Sequence, residues 1–525
     1  MKEIPKPWDY LILTSSNPGQ AAAYRKQLDI RQNLGFLSRI KNVLVVPDPE
    51  GKRIGSAGST ILCLMQVLSL ELADRVADRN PGLKELWTEA LERLRILIIH
   101  AGGDSKRLPA YGPCGKAFIP LPGEQESILG QTIFDRQLPV CRDLPEMTEG
   151  RGQVVITTGD VLLDFAASEV QFMDNGITGL GCLAPPEWTQ NHGVFVPSDD
   201  GIVKLFLQKP SVKEQEENGA INAEGMALLD IGILNWDVPS AVRLLELAGV
   251  RWDDIRGFCW SGPVADAVES TGLDLYREVC CVMGSDSDLH RYIAQMKKSG
   301  SPINESCLAH IYERMSETLL HSQTLSRCDF LHFGSIRQVL KSGLTVYKKD
   351  KGTDPKDSLL SVNNRISKEG LFRGQNAWIE GCSIEAAVDL GGENALVGID
   401  IDEPVVIPEK ACIDVIKGKS STGDSISFVR VYGIDDRIKD KVDSGATFCN
   451  ASIEEWMSGM GASDKDIWDD ELSSEKRSIW NARIFPSVKN PQEFKEWIWM
   501  FEPQKASETQ KQAWHGKKKY RFEDR

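Results

Sequence analysis

The feature that most restricts this chain is a rhythm: from Arg95 onward, short apolar runs alternate with helical stretches over roughly 250 residues. RILIIH (Arg95–His100) opens the series, followed by QVVITTGD, TGLGCLA, HGVFV, VKLFLQKP and MALLDIGILN. Runs this uniformly apolar belong to strands buried on both faces of a sheet. Helical stretches such as SILGQTIFDRQL and VPSAVRLLELAG (Val238–Gly249) separate several of them. The pattern predicts a mainly parallel, layered α/β sheet. Ligands of such sheets bind beyond the carboxyl ends of the strands, where the segments after Ile99, Thr157 and Leu207 fall.

The flanks read differently. Ahead of the series, YLILTS (Tyr10–Ser15) and NVLVVPD are strand candidates. The glycine-rich GKRIGSAGST (Gly51–Thr60) leads into a helix, STILCLMQVLSLELADRV, that Ser59 or Thr60 is placed to cap. A further helix, GLKELWTEALERL, follows Pro81. After Asn363 the helical period disappears. Apolar residues recur at Ile379, Ile384, Val388, Val397, Val405 and Ile413, with Gly, Asn and Asp between them. Short strands with regular turns predict a parallel β-helix of a few irregular coils, the alternative being an ordinary antiparallel sheet. Tryptophans then recur in short helical contexts (EEWM, DIWDDELSS, RSIWNARIFP, FKEWIWMF), which reads as a small cap with its aromatics packed inward. The expected division is 1–362, 363–435 and 436–525, and 525 residues exceed what one core accommodates.

Charge and cysteine usage remove other classes. With 76 acidic against 61 basic residues, the formal charge of -15 disfavours nucleic acid and anionic membrane as partners. The 12 cysteines are scattered singly in apolar settings or adjacent, as at Cys280 and Cys281, a free-thiol pattern that suits a reducing compartment. The seven histidines form no H-x-x-x-H or H-E-x-x-H cluster, which argues against zinc. No basic N-terminus runs into an apolar stretch and no apolar run reaches about 18 residues, so neither secretion nor membrane spanning is expected.

The chemistry concentrates in HAGGDSKRLPAYGPCGKAFIPL (His100–Leu121). Gly102 and Gly103 let the backbone turn tightly and present amides to a bulky anion. Arg107 offers a fixed fork of donors and Lys116 a compact cation, which together suit the phosphates of a nucleotide. The segment matches neither G-x-x-x-x-G-K-S/T nor G-x-G-x-x-G. Asp160, in ITTGDVLLDF, ends a strand, where a carboxylate can hold magnesium bridging phosphates. Asp274 in GLDLYREV and Asp230 in ALLDIGIL are candidates for a second carboxylate. Asp230 lies inside an apolar strand, where an unpaired charge is costly, so a ligand or partner is expected there. Lys209 in LFLQKPS ends another strand, as a phosphate contact for a second substrate or as a solvated lysine. His192 in NHGVF is either a sugar-hydroxyl contact or a structural histidine.

His100–Lys116 resembles the signature loop of the sugar-1-phosphate nucleotidylyltransferases, whose usual form is G-G-x-G-T/S-R-L followed by P-K. Further segments are similar, in consistent order, to one branch of them, the GDP-L-fucose pyrophosphorylases or L-fucose-1-phosphate guanylyltransferases. They are DPEGKRIGSAGST at Asp48, NHGVFV at Asn191, FLQKPS at Phe206, MALLDIGI at Met226, LDLYREV at Leu273, FLHFGS at Phe330 and IWNARIFP at Ile479. That branch occurs alone or as the first half of a bifunctional fucokinase chain.

The resemblance implies a Rossmann-like, GT-A-like nucleotidyltransferase domain, then a short left-handed parallel β-helix and a small helical C-terminal segment. It implies a cytoplasmic enzyme using Mg2+, GTP and L-fucose 1-phosphate, as a homo-oligomer or with a fused or associated fucokinase. Gly102, Gly103, Arg107 and Lys116 would hold the triphosphate, Asp160 and Asp274 the metal (with Asp230 in reserve), and Lys209 the sugar phosphate. Gly55, Gly58 and Ser59 would border the nucleotide, with His192 and Asp230 also on the substrates. There are departures. Gln208 stands where E-K-P has Glu, GPCGK parts Pro113 from Lys116, and nearly a hundred residues precede the signature. No second glycine-rich ATP loop of G-L-x-S-S type follows, so if the enzyme is a bifunctional one, these residues are expected to cover only its transferase part. Other readings are a nucleotidylyltransferase for a different sugar phosphate, or a non-catalytic sugar-nucleotide-binding protein.

Overall fold

Runs of leucine, isoleucine and valine form a mixed sheet in the first part of the chain, and short β-branched runs form stacked parallel ladders in the second. The computed structural model describes residues 5–72, 83–123, 130–148, 150–419 and 423–524. It divides into two units, one running to Gly103 and resuming over Asp135–Phe330, the other comprising Asp104–Phe134 and Leu331–Arg525. The signature segment is therefore divided, with its two glycines in the first unit and Arg107 and Lys116 in the second.

In the first unit, β1 (Trp8–Ser15), β2 (Ile40–Pro47), β3 (Arg95–His100) and β4 (Gln153–Thr158) pair in parallel, in the order β2-β1-β3-β4. After β5 (Val161–Asp164) come β6 (Ile177–Ala184), β7 (Gly193–Pro197), β8 (Val203–Gln208) and β9 (Ala227–Asp237). A small hairpin, β10 (Arg251–Asp253) with β11 (Gly257–Cys259), and the edge strand β12 (Leu320–Thr324) complete it. The sheet is mixed where a mainly parallel one was expected, because β9 runs antiparallel to both β4 and β6 and carries β7 and β8. A parallel return needs a crossover of about a dozen residues. The link Ser198–Ile202 between β7 and β8 is too short for one and makes a hairpin instead.

Helices α1 (Pro18–Asn33), α2 (Gly55–Glu71) and α3 (Leu83–Leu91) accompany the parallel strands. Ile61, Leu64 and Leu68 of α2 and Trp87 of α3 share a core with Ile12, Ile98 and Trp236 of the sheet. The start of α2 lies four residues ahead of the Ser59 that its sequence offers as a cap. Distant backbone does the capping instead, since the Leu273 carbonyl accepts the Ala57 amide at 2.9 Å. Gly55 permits this approach: it has φ +76°, and a Cβ there would lie 2.2 Å from that same carbonyl oxygen. Of the expected helices, residues 73–76, 82 and 127–129 lie outside the described residues.

In the second unit, three parallel ladders run through the same stretch. Leu360, Trp378, Ala395 and Cys412 are partners along one, at separations of 18, 17 and 17 residues. Ile366, Ile384 and Ile401 align along the second, and Phe372, Val388 and Val405 along the third. The first ladder ends in an antiparallel hairpin, Ala411–Lys419 with Ser425–Gly433, extended by Phe485–Val488 and Lys519–Tyr520. Trp456, Trp468 and Trp514 are buried in the C-terminal stretch, and Trp456 meets Phe448 and Trp514 edge to face. Among the described residues, no helix is long and apolar enough to cross a membrane.

Candidate active site

The polar groups of the first unit gather where its parallel strands end. β3 and β4 finish side by side at His100 and Thr158. Gly159 follows, its amide on the His100 carbonyl, and Asp160 accepts the Thr158 hydroxyl at 2.8 Å. Asp230 arrives on the antiparallel β9, two residues before Gly232, which lies against Thr158. Its carboxylate is 5% exposed, takes the Gly232 amide at 2.8 Å, and has its pKa pushed up to about 7 by burial. The Tyr276 phenol is held well above its ordinary pKa by burial, then by the charges of Asp230, Asp274 and Asp160. The three candidate carboxylates thus act on one hydroxyl.

Their commitments differ. Asp274 caps the turn Leu275–Val279, its Oδ1 accepting the amides of Tyr276 and Arg277, both at 2.9 Å. The α2 start is bonded to the same segment, with Ser56 Oγ accepting the Leu275 amide. Gly58 packs on Val268, and Ser59 is buried with its hydroxyl on Asp48 at 3.0 Å. Within this neighbourhood His100 Nε2 lies 3.0 Å from the Thr60 hydroxyl, and burial lowers its pKa to about 4.

Gly102 and Gly103 extend from β3 beside the end of β1. The Thr14 hydroxyl accepts the Ala101 and Gly102 amides at 3.2 Å, and Gln20 of α1 reaches the Gly103 carbonyl. A Cβ on Gly102 would come within 3.3 Å of the Ser15 backbone. Sequence reading passed over this β1 end, although Asn17-Pro18 is an ordinary helix-start signal and Asn17 does cap α1.

Lys209 follows β8 with its amide on the His192 carbonyl and φ +51°, a conformation costing a non-glycine residue about 1 kcal/mol or more. His192 packs edge to face on Phe330 at 5.1 Å. A cavity of about 330 Å³ opens at Lys209, lined also by Gln208, Asn218, Arg291, Gln295 and Lys298. Lys298 is paired with Glu214, so part of its charge is already spoken for.

In the second unit, Asp104–Lys116 is a chain of turns with its own tethers. Ser105 takes a left-handed φ of +53° and its carbonyl accepts the Leu108 amide. Arg107 is exposed, its carbonyl held by the Ile336 amide. Pro109–Tyr111 forms a 3₁₀ turn, and Lys116 begins another after Gly115. Tyr111, Trp378, Glu380 and Arg430 close around the first turn, a set no local sequence signal could reveal.

Among the described residues, no group of three or more His, Cys, Asp or Glu side chains is arranged to hold a metal. Magnesium asks for less, since one or two carboxylates and substrate phosphates complete its shell. Asp160 and Asp230 fit that requirement. They flank one threonine, and among the described residues the buried Asp230 has only a backbone amide to favour its ionised form, which a cation would restore. Asp274 has Oδ2 left for the same purpose.

Comparison with known proteins places the chain. Residues 88–490 match the fucose pyrophosphorylase domain. A bifunctional fucokinase/GDP-fucose pyrophosphorylase of Arabidopsis thaliana is 25% identical, over 94% of this chain and 48% of that protein. An L-fucokinase/L-fucose-1-P guanylyltransferase of Bacteroides fragilis is 24% identical, over 85% of this chain and 43% of its own. A fucose-1-phosphate guanylyltransferase of Mus musculus is 23% identical, over 91% and 83%. The chain thus spans about half the length of the first two relatives. With more than half of its residues inside the family match, the chain belongs to the fucose pyrophosphorylase family.

Proposed function

We propose that this chain transfers a guanylyl group from GTP to L-fucose 1-phosphate, yielding GDP-L-fucose and pyrophosphate, in the cytoplasm. Family membership supports a reaction of the sugar-1-phosphate nucleotidyltransferase type. The observation that carries the reading is the gathering of Asp160 and Asp230 around Thr158 at the strand ends of such a chain. The sugar phosphate is ionised at neutral pH and needs no base to act as nucleophile. What the protein must supply is alignment opposite the leaving pyrophosphate and neutralisation of charge.

Each residue then has a task. The amides of Gly102 and Gly103 receive phosphate oxygens, while Arg107 and Lys116 offset charge growing on pyrophosphate. Lys209, on its strained turn, steadies the sugar phosphate, and His192 beside it meets a sugar hydroxyl. Gly55, Gly58 and Ser59 shape the start of α2 along the nucleotide. Asp160, with Asp230 or Asp274, would hold magnesium, which when bound neutralises and orients phosphate oxygens. We read the three parallel ladders as a left-handed parallel β-helix spanning about 363–435, followed by a helical cap, because a spacing of 16 to 18 residues repeats on all three. The test is pyrophosphate release from a panel of sugar 1-phosphates against four nucleoside triphosphates. L-fucose 1-phosphate with GTP should be the fastest pair. Faster turnover with another sugar phosphate or with UTP would remove the specificity assigned here.

A further inference from the structure

The signature loop of the second unit has neither strand nor α-helix between Arg107 and Lys116, yet two buried side chains from distant strands grip the 3₁₀ turn between those residues. Arg430, on the strand Ser425–Gly433, is fully buried. Its Nε donates to Asp414 Oδ1 at 2.6 Å, and its Nη2 donates to the Pro109 carbonyl at 2.9 Å. Asp414 is held in turn by the Tyr432 hydroxyl at 2.9 Å on its other oxygen. Trp378, on the strand Ala377–Glu380, donates its indole N–H to the Tyr111 hydroxyl at 2.7 Å, and that hydroxyl faces Glu380 at 3.5 Å.

A buried ion pair is a poor way simply to join two strands, because apolar residues of the same size often do it as well without the desolvation penalty. Here the pair leaves one guanidinium nitrogen aimed at a carbonyl that already accepts the Gly112 amide. The fork of the arginine sets a distance and a direction, which a flexible lysine cannot do for both acceptors at once. We propose that Arg430 and Trp378 are positioning residues for the triphosphate grip, clasping the turn Pro109–Tyr111 so that Arg107 and Lys116 stand at fixed ends of it. The proposal rests on the reading of Arg107 and Lys116 as triphosphate ligands. Small displacements of such groups matter, since a shift of about 1 Å can cost on the order of a hundredfold in rate.

Arg430→Lys and Trp378→Phe each remove one clasp while keeping charge or ring. Titration calorimetry with Mg-GTP should show affinity falling about tenfold in either variant, with KM for the sugar phosphate unchanged. Hydrogen exchange at the Leu108–Gly115 amides should quicken. In an Arg107→Ala background the same changes should cost less than about twofold, because the clasp then has less grip left to position. Wild-type GTP affinity in both variants would overturn the proposal, as would an undiminished loss in the Arg107→Ala background. Should Arg430→Lys fail to fold, Trp378→Phe decides alone. Wild-type chain that binds no GTP would sink the functional reading itself. GTP binding left intact by both substitutions would sink only the clasp.

Discussion

Two buried charged sites, one in each unit, have been treated in opposite ways. Arg430 and Asp414 in the second unit neutralise each other, and hydrogen bonds from Tyr432 and to Pro109 add to the pair, leaving the buried Arg430 Nη1 without an acceptor among the described residues. Asp230 in the first unit is buried almost as deeply but, among the described residues, receives a single amide and no cation. A charge kept for holding the fold can be satisfied internally. One kept for a ligand cannot, and the cost is carried by the free protein.

The sharpest way to break this contrast is Asp414→Ala. It strands a buried guanidinium, so the unfolding free energy should drop by about 3–5 kcal/mol in chemical denaturation. A loss under about 1 kcal/mol would mean the pair is not satisfied as described. Asp230 should behave in the other sense. Its proton is bound more tightly in the folded chain, where the pKa is about 7, than in the unfolded one, where 3.8 is ordinary. Its contribution to stability is therefore fully present below about pH 4 and falls away as pH rises through 7, by on the order of 4 kcal/mol. Asp230→Asn should abolish that component, so between pH 4 and 8 the wild-type stability should fall relative to that of the variant as pH rises. Parallel curves would contradict it.

Kinetics refine the comparison further. Lys209→Ala should lower kcat/KM for L-fucose 1-phosphate about 30- to 150-fold, the equivalent of roughly 2–3 kcal/mol, with GTP affinity nearly unchanged. Equal loss on both substrates would place Lys209 outside the sugar-phosphate site. The smallest effect belongs to Asp274. Losing its cap in Asp274→Ala should cost about 1 kcal/mol, and Asp274→Asn should keep the cap while removing the charge. If the Asn variant loses magnesium-dependent turnover as fully as Asp160→Asn, Asp274 is the second carboxylate and Asp230 is not.

The strands of the first unit are legible because runs such as RILIIH have nowhere to go except a sheet buried on both faces. The direction of β9 is not legible, since ALLDIGIL has no polarity of pattern and reads the same whichever way it enters. Gly55 shows why local rules misplace a helix start: a cap drawn from Leu273, more than two hundred residues on, leaves no mark near Ser59. Asp230 is the opposite case. A carboxylate inside an apolar run needs a partner on energetic grounds alone, and that much is readable before any fold is known. The clasp around Tyr111 depends on pairings at separations of 267 and 321 residues, which only tertiary structure brings together.

That last separation has a consequence for biosynthesis. Pro109 leaves the ribosome 321 residues ahead of the arginine that grips it. At roughly 5–20 residues per second, the wait is roughly 15 to 60 seconds. β1 to β4 can pair within that interval, each meeting its neighbour soon after emergence. The loop carrying Arg107 must stay undocked until the final coils and hairpin are made. Nascent chains stalled before Arg430 should therefore carry an assembled parallel sheet and a protease-sensitive signature loop, with digestion at Arg107 disappearing only once the hairpin has cleared the exit tunnel.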